Sequence, residues 1–181
     1  MAEEKLKSII EYFYHSESTT PDKIFLRQPK GDQWIELTFR EAGIEARKVA
    51  AYMQSIGLGK NDHIAIYSKN CYHWIMSDLA IMMIGAVSVP LYASLSKDQL
   101  KEVLSISDSK AVFLGKLDSW GDKGEAIADG VKMIRFPQYP DNATVDMGEK
   151  WEDIINSHEA LTENYIPDLD DLWTIKFTSG T

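Results

Sequence analysis

The stretch that decides the fold is residues 63–91, HIAIYSKNCYHWIMSDLAIMMIGAVSVPL. Residues 63–67 and 86–91 are short apolar runs of the kind found in buried strands. Between them, residues 72–84 are apolar and long enough for a buried helix. Strand, helix and strand in succession predict a βαβ unit, in which the two strands are parallel and covered on both faces.

A membrane span is the competing interpretation of this stretch, because residues 74–91 are almost free of charge. Asp78 argues against it, since a carboxylate near the centre of a membrane helix costs ~2.5–3.5 kcal/mol. Gly85 also indicates the end of a helix, and the residues after it, which include Val87 and Pro90, indicate the start of a strand. We therefore predict a buried helix packed on a buried strand, with Asp78 as a buried carboxylate that accepts hydrogen bonds from nearby donors.

The rest of the chain continues the alternation. Downstream, the patterns predict helices over residues 97–106, 119–128 (weaker) and 151–158, strands over 111–114, 131–136 and 172–177, and a loop over 137–150. Upstream, they predict a helix over residues 5–14 and a hairpin of residues 24–27 and 34–37, joined by residues 29–32. A second helix is predicted from N-cap Thr38, where Glu41 completes a capping box, to C-cap Gly57. The predicted fold class is α/β: a three-layer αβα sandwich with a mainly parallel sheet, preceded by an N-terminal helix and β-hairpin.

Composition excludes several classes of protein. The 181 residues carry a formal charge of −9. Since that charge repels phosphodiester backbones, we expect no nucleic-acid partner. The single cysteine, Cys71, rules out an intrachain disulfide, and the first residues lack the layout of a signal peptide. We therefore expect a cytoplasmic protein without a transmembrane segment.

Candidate chemistry is concentrated at the end of the chain. Residues 172–177 lead directly into Thr178, Ser179, Gly180 and Thr181. Glycine and hydroxyl residues after a strand suit a loop that wraps phosphate, because backbone N–H groups and hydroxyls turn inward together. An ordinary turn explains the same four residues, so this segment alone does not decide between the two.

Three segments in order resemble the adenylate-forming superfamily, which includes acyl-CoA synthetases, nonribosomal peptide adenylation domains and firefly luciferase. Residues 176–181, KFTSGT, resemble the opening of its signature phosphate-binding loop. Residues 37–41, LTFRE, and 84–91, IGAVSVPL, resemble its first long helix start and a helix-to-strand junction. The long-chain fatty acyl-CoA synthetase branch is the most similar, on the residues Asn70, Trp74, Asp78, Leu79, Ala80, Val89, Pro90, Leu91 and Tyr92; the chain departs from that branch at residues 71–73, CYH.

The resemblance implies that residues 1–181 are the N-terminal part of an adenylation domain, ending inside the phosphate-binding loop. It implies ATP, coenzyme A and Mg²⁺ as cofactors, a fatty acid as substrate, and ATP phosphate contacts from Thr178, Ser179, Gly180 and Thr181. No catalytic or metal-binding residue is assigned, and the chain alone is expected to be inactive and to self-associate through uncovered apolar surface. The resemblance also implies that the parent enzyme is cytoplasmic, and it permits peripheral contact of the parent enzyme with the inner membrane.

Cys71 and His73 are interpreted as helix-start residues, because neighbours two apart on a helix point in different directions and cannot share a metal. Trp74, Met76, Met82 and Met83 are expected in the core. The alternation of strand and helix by itself also permits a non-catalytic flavodoxin-like or Rossmann-like domain that binds a nucleotide or a protein partner.

Overall fold

The N-terminal helix begins later than its periodicity indicates. The computed structural model describes residues 6–178, and in it helix α1 spans Ile9–Thr19. Its N-cap is Ser8, whose side chain accepts a hydrogen bond from the Glu11 backbone while the Glu11 carboxylate caps Ser8 in return. The predicted helix over residues 5–14 was therefore placed too early, because the cap and not the apolar spacing sets the start.

The hairpin consists of strands β1 (Ile24–Lys30) and β2 (Gln33–Thr38), which pair antiparallel. The predicted four-residue connection over 29–32 is wrong, since Pro29 and Lys30 belong to β1 and pair with β2. Only two residues form the turn, and Gly31 takes the positive φ of 59° that such a tight turn requires.

Helix α2 (Phe39–Ser55) begins at the predicted N-cap, and its C-cap is Ile56, one residue before the predicted Gly57. Thr38 is its N-cap and forms a reciprocal capping box with Glu41. At the other end Gly57, with φ of 87°, follows the last turn in the left-handed conformation that commonly stops a helix.

The central βαβ unit is confirmed. Strand β3 (His63–Tyr67), helix α3 (Tyr72–Met83) and strand β4 (Val87–Leu91) follow in order, and β3 pairs with β4 in parallel. The apolar run of residues 74–91 is thus divided between a helix and a strand. Nowhere in residues 6–178 is there a helix long and apolar enough to cross a bilayer.

The remaining elements are α4 (Lys97–Ile106), β5 (Ala111–Leu114), a 3-10 helix (Gly121–Ala126), β6 (Lys132–Arg135), β7 (Glu149–Lys150) and α5 (Trp151–Ser157). Strand β7 lies within the predicted loop, and the weak helix over residues 119–128 is a 3-10 helix. The predicted strand over residues 172–177 is not a regular strand. It forms a single parallel bridge, between Thr174 and Ser88 of β4.

The sheet has five strands in the order β4-β3-β5-β6-β7, and every pair is parallel. Alternate side chains of β3 and β5 point to opposite faces. Ile64, Ile66 and Phe113 pack with α1, α2, α3 and α5, whereas Tyr67 and Leu114 pack with α4 and the 3-10 helix. The three-layer αβα sandwich predicted from the sequence is therefore confirmed.

Candidate functional site

The candidate site lies at the carboxyl edge of the parallel sheet. The chain leaves β3 toward α3 on one face and leaves β5 toward the 3-10 helix on the other face. Ligands of open parallel sheets bind in the crevice that opens where adjacent connections diverge in this way. The segments at this edge are residues 68–71 after β3, residues 92–96 after β4 and residues 115–120 after β5.

The loops after β3 and β5 are joined by a set of short hydrogen bonds. The Lys69 N–H donates to the Lys116 carbonyl at 2.9 Å, and the Lys116 N–H donates to Ser68 Oγ at 2.9 Å. Gly115 permits this approach, because a Cβ there would lie 2.3 Å from the Phe136 ring and 2.4 Å from Ser68 Oγ. The loops after β3 and β5 are thus tied together at this edge.

The last described residues reach the same edge along the outside of β4. The Ser88 N–H donates to the Trp173 carbonyl at 2.9 Å, and the Ile175 N–H donates to the Ser88 carbonyl at 2.9 Å. Because this pairing is parallel, the chain runs from Thr174 toward the carboxyl ends of the strands. Lys176 and Thr178 therefore emerge beside the loop that follows β4.

Thr178 is the single predicted phosphate-contact residue within the described part of the chain. It is exposed and lines a cavity of about 460 Å³ together with Tyr92, Leu95 and Gln99. The other three predicted contacts, Ser179, Gly180 and Thr181, lie outside the described residues.

A second cavity, of about 330 Å³, opens next to Lys176. Its lining includes Asn70, Trp74, Tyr92 and Phe177. Three of these residues (Asn70, Trp74 and Tyr92) belong to the branch-like motif of the sequence, which the fold brings together around the last segment. Trp74 is half-buried: it packs against the core, as predicted, and also lines this cavity. Met76, Met82 and Met83 are buried as predicted.

Two lysines place positive charge near this edge, and a third, Lys69, is neutralised by its ion pair with Asp118. The Lys116 ammonium lies 5.5 Å from the ring centroid of Tyr139, and the Lys176 ammonium lies 5.9 Å from that of Trp173. Cations over aromatic faces keep their charge available to a second, anionic partner. This local charge is a signal that the sequence pattern did not single out.

The side chains of His73 and Cys71 line neither of these two cavities. His73 is buried in the layer between sheet and helices, where a hydrogen bond of 2.7 Å joins its Nδ1 to the Tyr139 hydroxyl. Burial lowers the pKa of His73 to about 3, so its imidazole is neutral at neutral pH. Cys71 is buried at the start of α3, as predicted. Residues 6–178 contain no cluster of three or more His, Cys, Asp or Glu side chains suited to a metal.

Known proteins resemble this chain in sequence and in fold. The AMP-binding enzyme family matches residues 13–181. Long-chain-fatty-acid–CoA ligase FadD15 of Mycobacterium bovis is 34% identical over 122 residues, which cover 67% of this chain and 20% of that ligase. Fatty acyl-CoA synthetase A of Dictyostelium discoideum is 28% identical over 166 residues, which cover 84% of this chain and 24% of that synthetase.

The structural comparison gives the same fold. The solved structure of anthranilate CoA ligase AuaEII in complex with anthranoyl-AMP superposes with a TM-score of 0.77 at 15% identity. The superposition covers 94% of this chain and 32% of that one. The chain thus spans about a fifth to a third of the length of the relatives that it matches.

Proposed function

The chain belongs to the AMP-binding enzyme family, and from that premise we propose that it supplies the start of the ATP phosphate-binding loop of an acyl-CoA ligase that activates long-chain fatty acids. The fatty acid class rests on the two curated relatives, whose names are those of a long-chain fatty acid–CoA ligase and a fatty acyl-CoA synthetase. The family match favours this function over the non-catalytic nucleotide- or partner-binding domain that the strand and helix pattern also permits.

The proposed reaction has two steps. A carboxylate oxygen of the fatty acid attacks the α-phosphorus of ATP, the bond from that phosphorus to the bridging oxygen breaks, and pyrophosphate leaves. The sulfur of coenzyme A then attacks the acyl carbon of the adenylate while its thiol proton is released to solvent, and AMP leaves with the electrons of the broken acyl–oxygen bond. The contribution proposed for this chain is to hold the β- and γ-phosphates, so that the attack occurs in line and the leaving charge is stabilised.

The observation that carries the proposal is the path of the last segment. Its parallel pairing with β4 directs Thr178 to the carboxyl edge, and Ser179, Gly180 and Thr181 follow it in the sequence. Lys116 and Lys176 lie near that edge, whereas Lys69 is ion-paired with Asp118. The total charge of the chain is −9 and would otherwise repel a triphosphate. Mg²⁺ belongs to the proposal as the usual partner of ATP, but no described residue is assigned to it.

The first test is nucleotide binding to the 181-residue chain, measured by backbone NMR with ATP, pyrophosphate and AMP. We expect ATP and pyrophosphate to shift the amide signals of Lys69, Lys116, Lys176 and Thr178, and AMP to shift them less, because the loop is proposed to hold the β- and γ-phosphates. Thr178→Ala should weaken the ATP response, and Lys101→Gln, an exposed change on α4, should not. Shifts spread over both faces of the sheet, or none at millimolar ATP, would contradict the proposal.

The second test concerns the acid. Pyrophosphate release should be measured with the longest natural protein that carries this sequence, across saturated fatty acids of increasing length and a set of aromatic carboxylates. We expect the long-chain fatty acids to give the fastest release of pyrophosphate, and we expect this release without added CoA, because the acid is activated before CoA reacts. Preference for aromatic acids would reject the fatty acid assignment and leave the ATP-binding proposal standing.

A further inference from the structure

Residues 165–177, here called the strap, run along β4 from the amino edge of the sheet to its carboxyl edge. At the amino edge the Tyr165 ring lies on Gly85, in the turn between α3 and β4. A Cβ at Gly85 would lie 2.7 Å from Cζ of that ring, so this close approach requires glycine. Further along, the strap hydrogen-bonds to Ser88 of β4 and then leads to Thr178. The strap therefore first contacts the sheet at the edge opposite to the proposed loop.

Apolar burial does not hold the first part of the strap. Ile166, Leu169 and Leu172 are exposed. Because burial stabilises in proportion to the apolar area removed from water, these side chains contribute little to the attachment. In the described part of the chain, backbone hydrogen bonds between the strap and β4 begin at Trp173. Apart from the Tyr165 ring, the attachment before that point therefore depends on polar side-chain contacts.

One oxygen of Asp171 accepts the polar contacts of this part of the strap. Asp171 Oδ2 lies 3.1 Å from Lys60 Nζ, 3.2 Å from the Tyr165 hydroxyl and 3.1 Å from the Asp168 backbone nitrogen, and each of the three donates a hydrogen bond to it. The Lys60 ammonium also lies 5.8 Å from the centroid of the Tyr165 ring. The contact with Lys60, followed by those with Asp168 and Tyr165, holds the pKa of Asp171 below its usual range, so the group is ionised at neutral pH.

Lys60 connects this carboxylate to the body of the fold. It lies between α2 and β3, and the N–H of the next residue, Asn61, donates to the Gly85 carbonyl at 3.0 Å. The carboxylate and the Tyr165 ring thus attach the strap to one corner of the fold. A single exposed ion pair contributes little to stability. Here, however, one carboxylate joins three donors, so both the turn within the strap and its attachment depend on Asp171.

We propose that Asp171 is a positioning residue for the phosphate-binding loop: through Lys60 its carboxylate fixes where the strap meets β4, and so sets the register in which Thr178 reaches the carboxyl edge. A shift by one residue would move Thr178 by about 3.3 Å and turn the side chains of the strap to the other face. The purpose of this anchor rests on the proposed function, but the anchor itself needs no nucleotide. The sequence pattern did not single out Asp171, because Lys60 is 111 residues away along the chain.

The test is amide hydrogen exchange in the 181-residue chain without nucleotide. The two reporters are the Ile175 N–H, bonded to the Ser88 carbonyl, and the Ser88 N–H, bonded to the Trp173 carbonyl. Asp171→Asn and Lys60→Met should each accelerate exchange at both reporters by about fivefold, in line with the loss of one or two hydrogen bonds. Wild-type exchange rates at both reporters in these variants would reject the anchor.

Asp108→Asn is the matched control. Asp108 is exposed and forms an ion pair of 2.9 Å with Lys110 just before β5, so the change removes the same kind of contact without touching the strap. Both reporters should keep the wild-type rate in this variant. Exchange in α2 should be unchanged in every variant, because the anchor affects a local opening and not global unfolding. Equal acceleration by Asp108→Asn and Asp171→Asn would reject the anchor.

Two further variants separate positioning from a general structural role. Lys60→Arg keeps the positive charge and should restore an exchange rate close to that of the wild type. Lys60→Met combined with Asp171→Asn should exchange no faster than Asp171→Asn alone, because both changes remove the same ion pair. Acceleration equal to the product of the two single effects, or Lys60→Arg as fast as Lys60→Met, would overturn the proposal. Should Asp171→Asn fail to fold, the two Lys60 variants decide.

Addition of ATP distinguishes this inference from the function on which it depends. If the anchor and the function both hold, Asp171→Asn should also weaken the ATP-induced shift of Thr178 several-fold, while α2 stays unperturbed. An exchange effect without any ATP response in the wild-type chain would reject the proposed function and support the anchor. An ATP response that Asp171→Asn leaves intact would reject the positioning role.

Discussion

At the scale of single residues, His73 shows how burial sets chemistry. Its side chain is 2% exposed, its ring stacks on Phe136 at 5.4 Å, and Trp151 meets it edge-on at 5.0 Å. Burial lowers its pKa from 6.5 to about 3, because an imidazolium would lose its hydration there. The same ring in the unfolded chain takes up a proton below about pH 6.5.

This difference predicts acid destabilisation by His73. Below about pH 6.5 the His73 imidazole takes up a proton in the unfolded state but not in the folded state. The free energy of unfolding is therefore highest above about pH 6.5 and falls as the pH is lowered toward 3. Between pH 7 and pH 5 the loss is ~2 kcal/mol of unfolding free energy. Urea unfolding of the wild-type chain and of His73→Phe between pH 7 and pH 5 measures this loss of unfolding free energy.

The variant separates the two roles of His73. His73→Phe should be less stable at pH 7, because the Tyr139 hydroxyl loses its partner, but its stability should fall less steeply with acid. Gln54→Ala, an exposed change on α2 at a side chain that carries no titrating group, is the control and should keep the wild-type slope. Identical slopes for His73→Phe and wild type would show that His73 does not titrate on unfolding.

At the scale of elements, local capping decides where the helices begin. α1, α2 and α4 each start with a complete capping box, formed by Ser8 with Glu11, Thr38 with Glu41, and Ser96 with Gln99. In each, two backbone N–H groups of the first turn find side-chain partners within three residues. These starts therefore depend on short stretches of sequence and not on distant contacts.

Removal of one cap tests this dependence. Thr38→Ala should lower the unfolding free energy by ~0.5–2 kcal/mol, because the Glu41 N–H loses its acceptor at the junction of β2 and α2. Thr38→Ser keeps the hydroxyl and should lose less than half of that amount. The measurement is chemical denaturation of the three proteins at one pH. Equal losses in the two variants would show that the Thr38 methyl group, and not its hydroxyl, matters.

At the scale of the whole molecule, apolar side chains are exposed at the β4 side of the sheet. Ile9, Leu169, Leu172 and Trp173 are 53%, 54%, 55% and 40% exposed, and they line one cavity between α1 and the last segment. Contiguous apolar surface of this kind promotes association. The sequence predicts that the chain self-associates. We predict that it does so through this apolar surface.

Light scattering over a range of protein concentrations tests this prediction. The wild-type chain should show an apparent mass that rises with concentration, and Leu172→Lys should reduce that rise. Ile106→Lys is the control, because Ile106 is 67% exposed on α4, across the sheet from this surface. A concentration-independent monomer mass for the wild-type chain would reject the prediction, and equal effects of the two variants would reject the location.

The sequence by itself determined the βαβ unit, the bounds of α4 and β5, and the capped start of α2, because apolar periodicity and caps act between residues at most a few positions apart. The assignment of Thr178 to phosphate contact comes from the family resemblance and stays a prediction. Tertiary structure alone decided the strand order, the two-residue strand β7, and the reduction of the last strand to a bridge at Thr174. It also brought the loop after β3 to the loop after β5, where the Lys69 N–H donates to the Lys116 carbonyl, since contacts between distant residues form only when helices and sheet pack together.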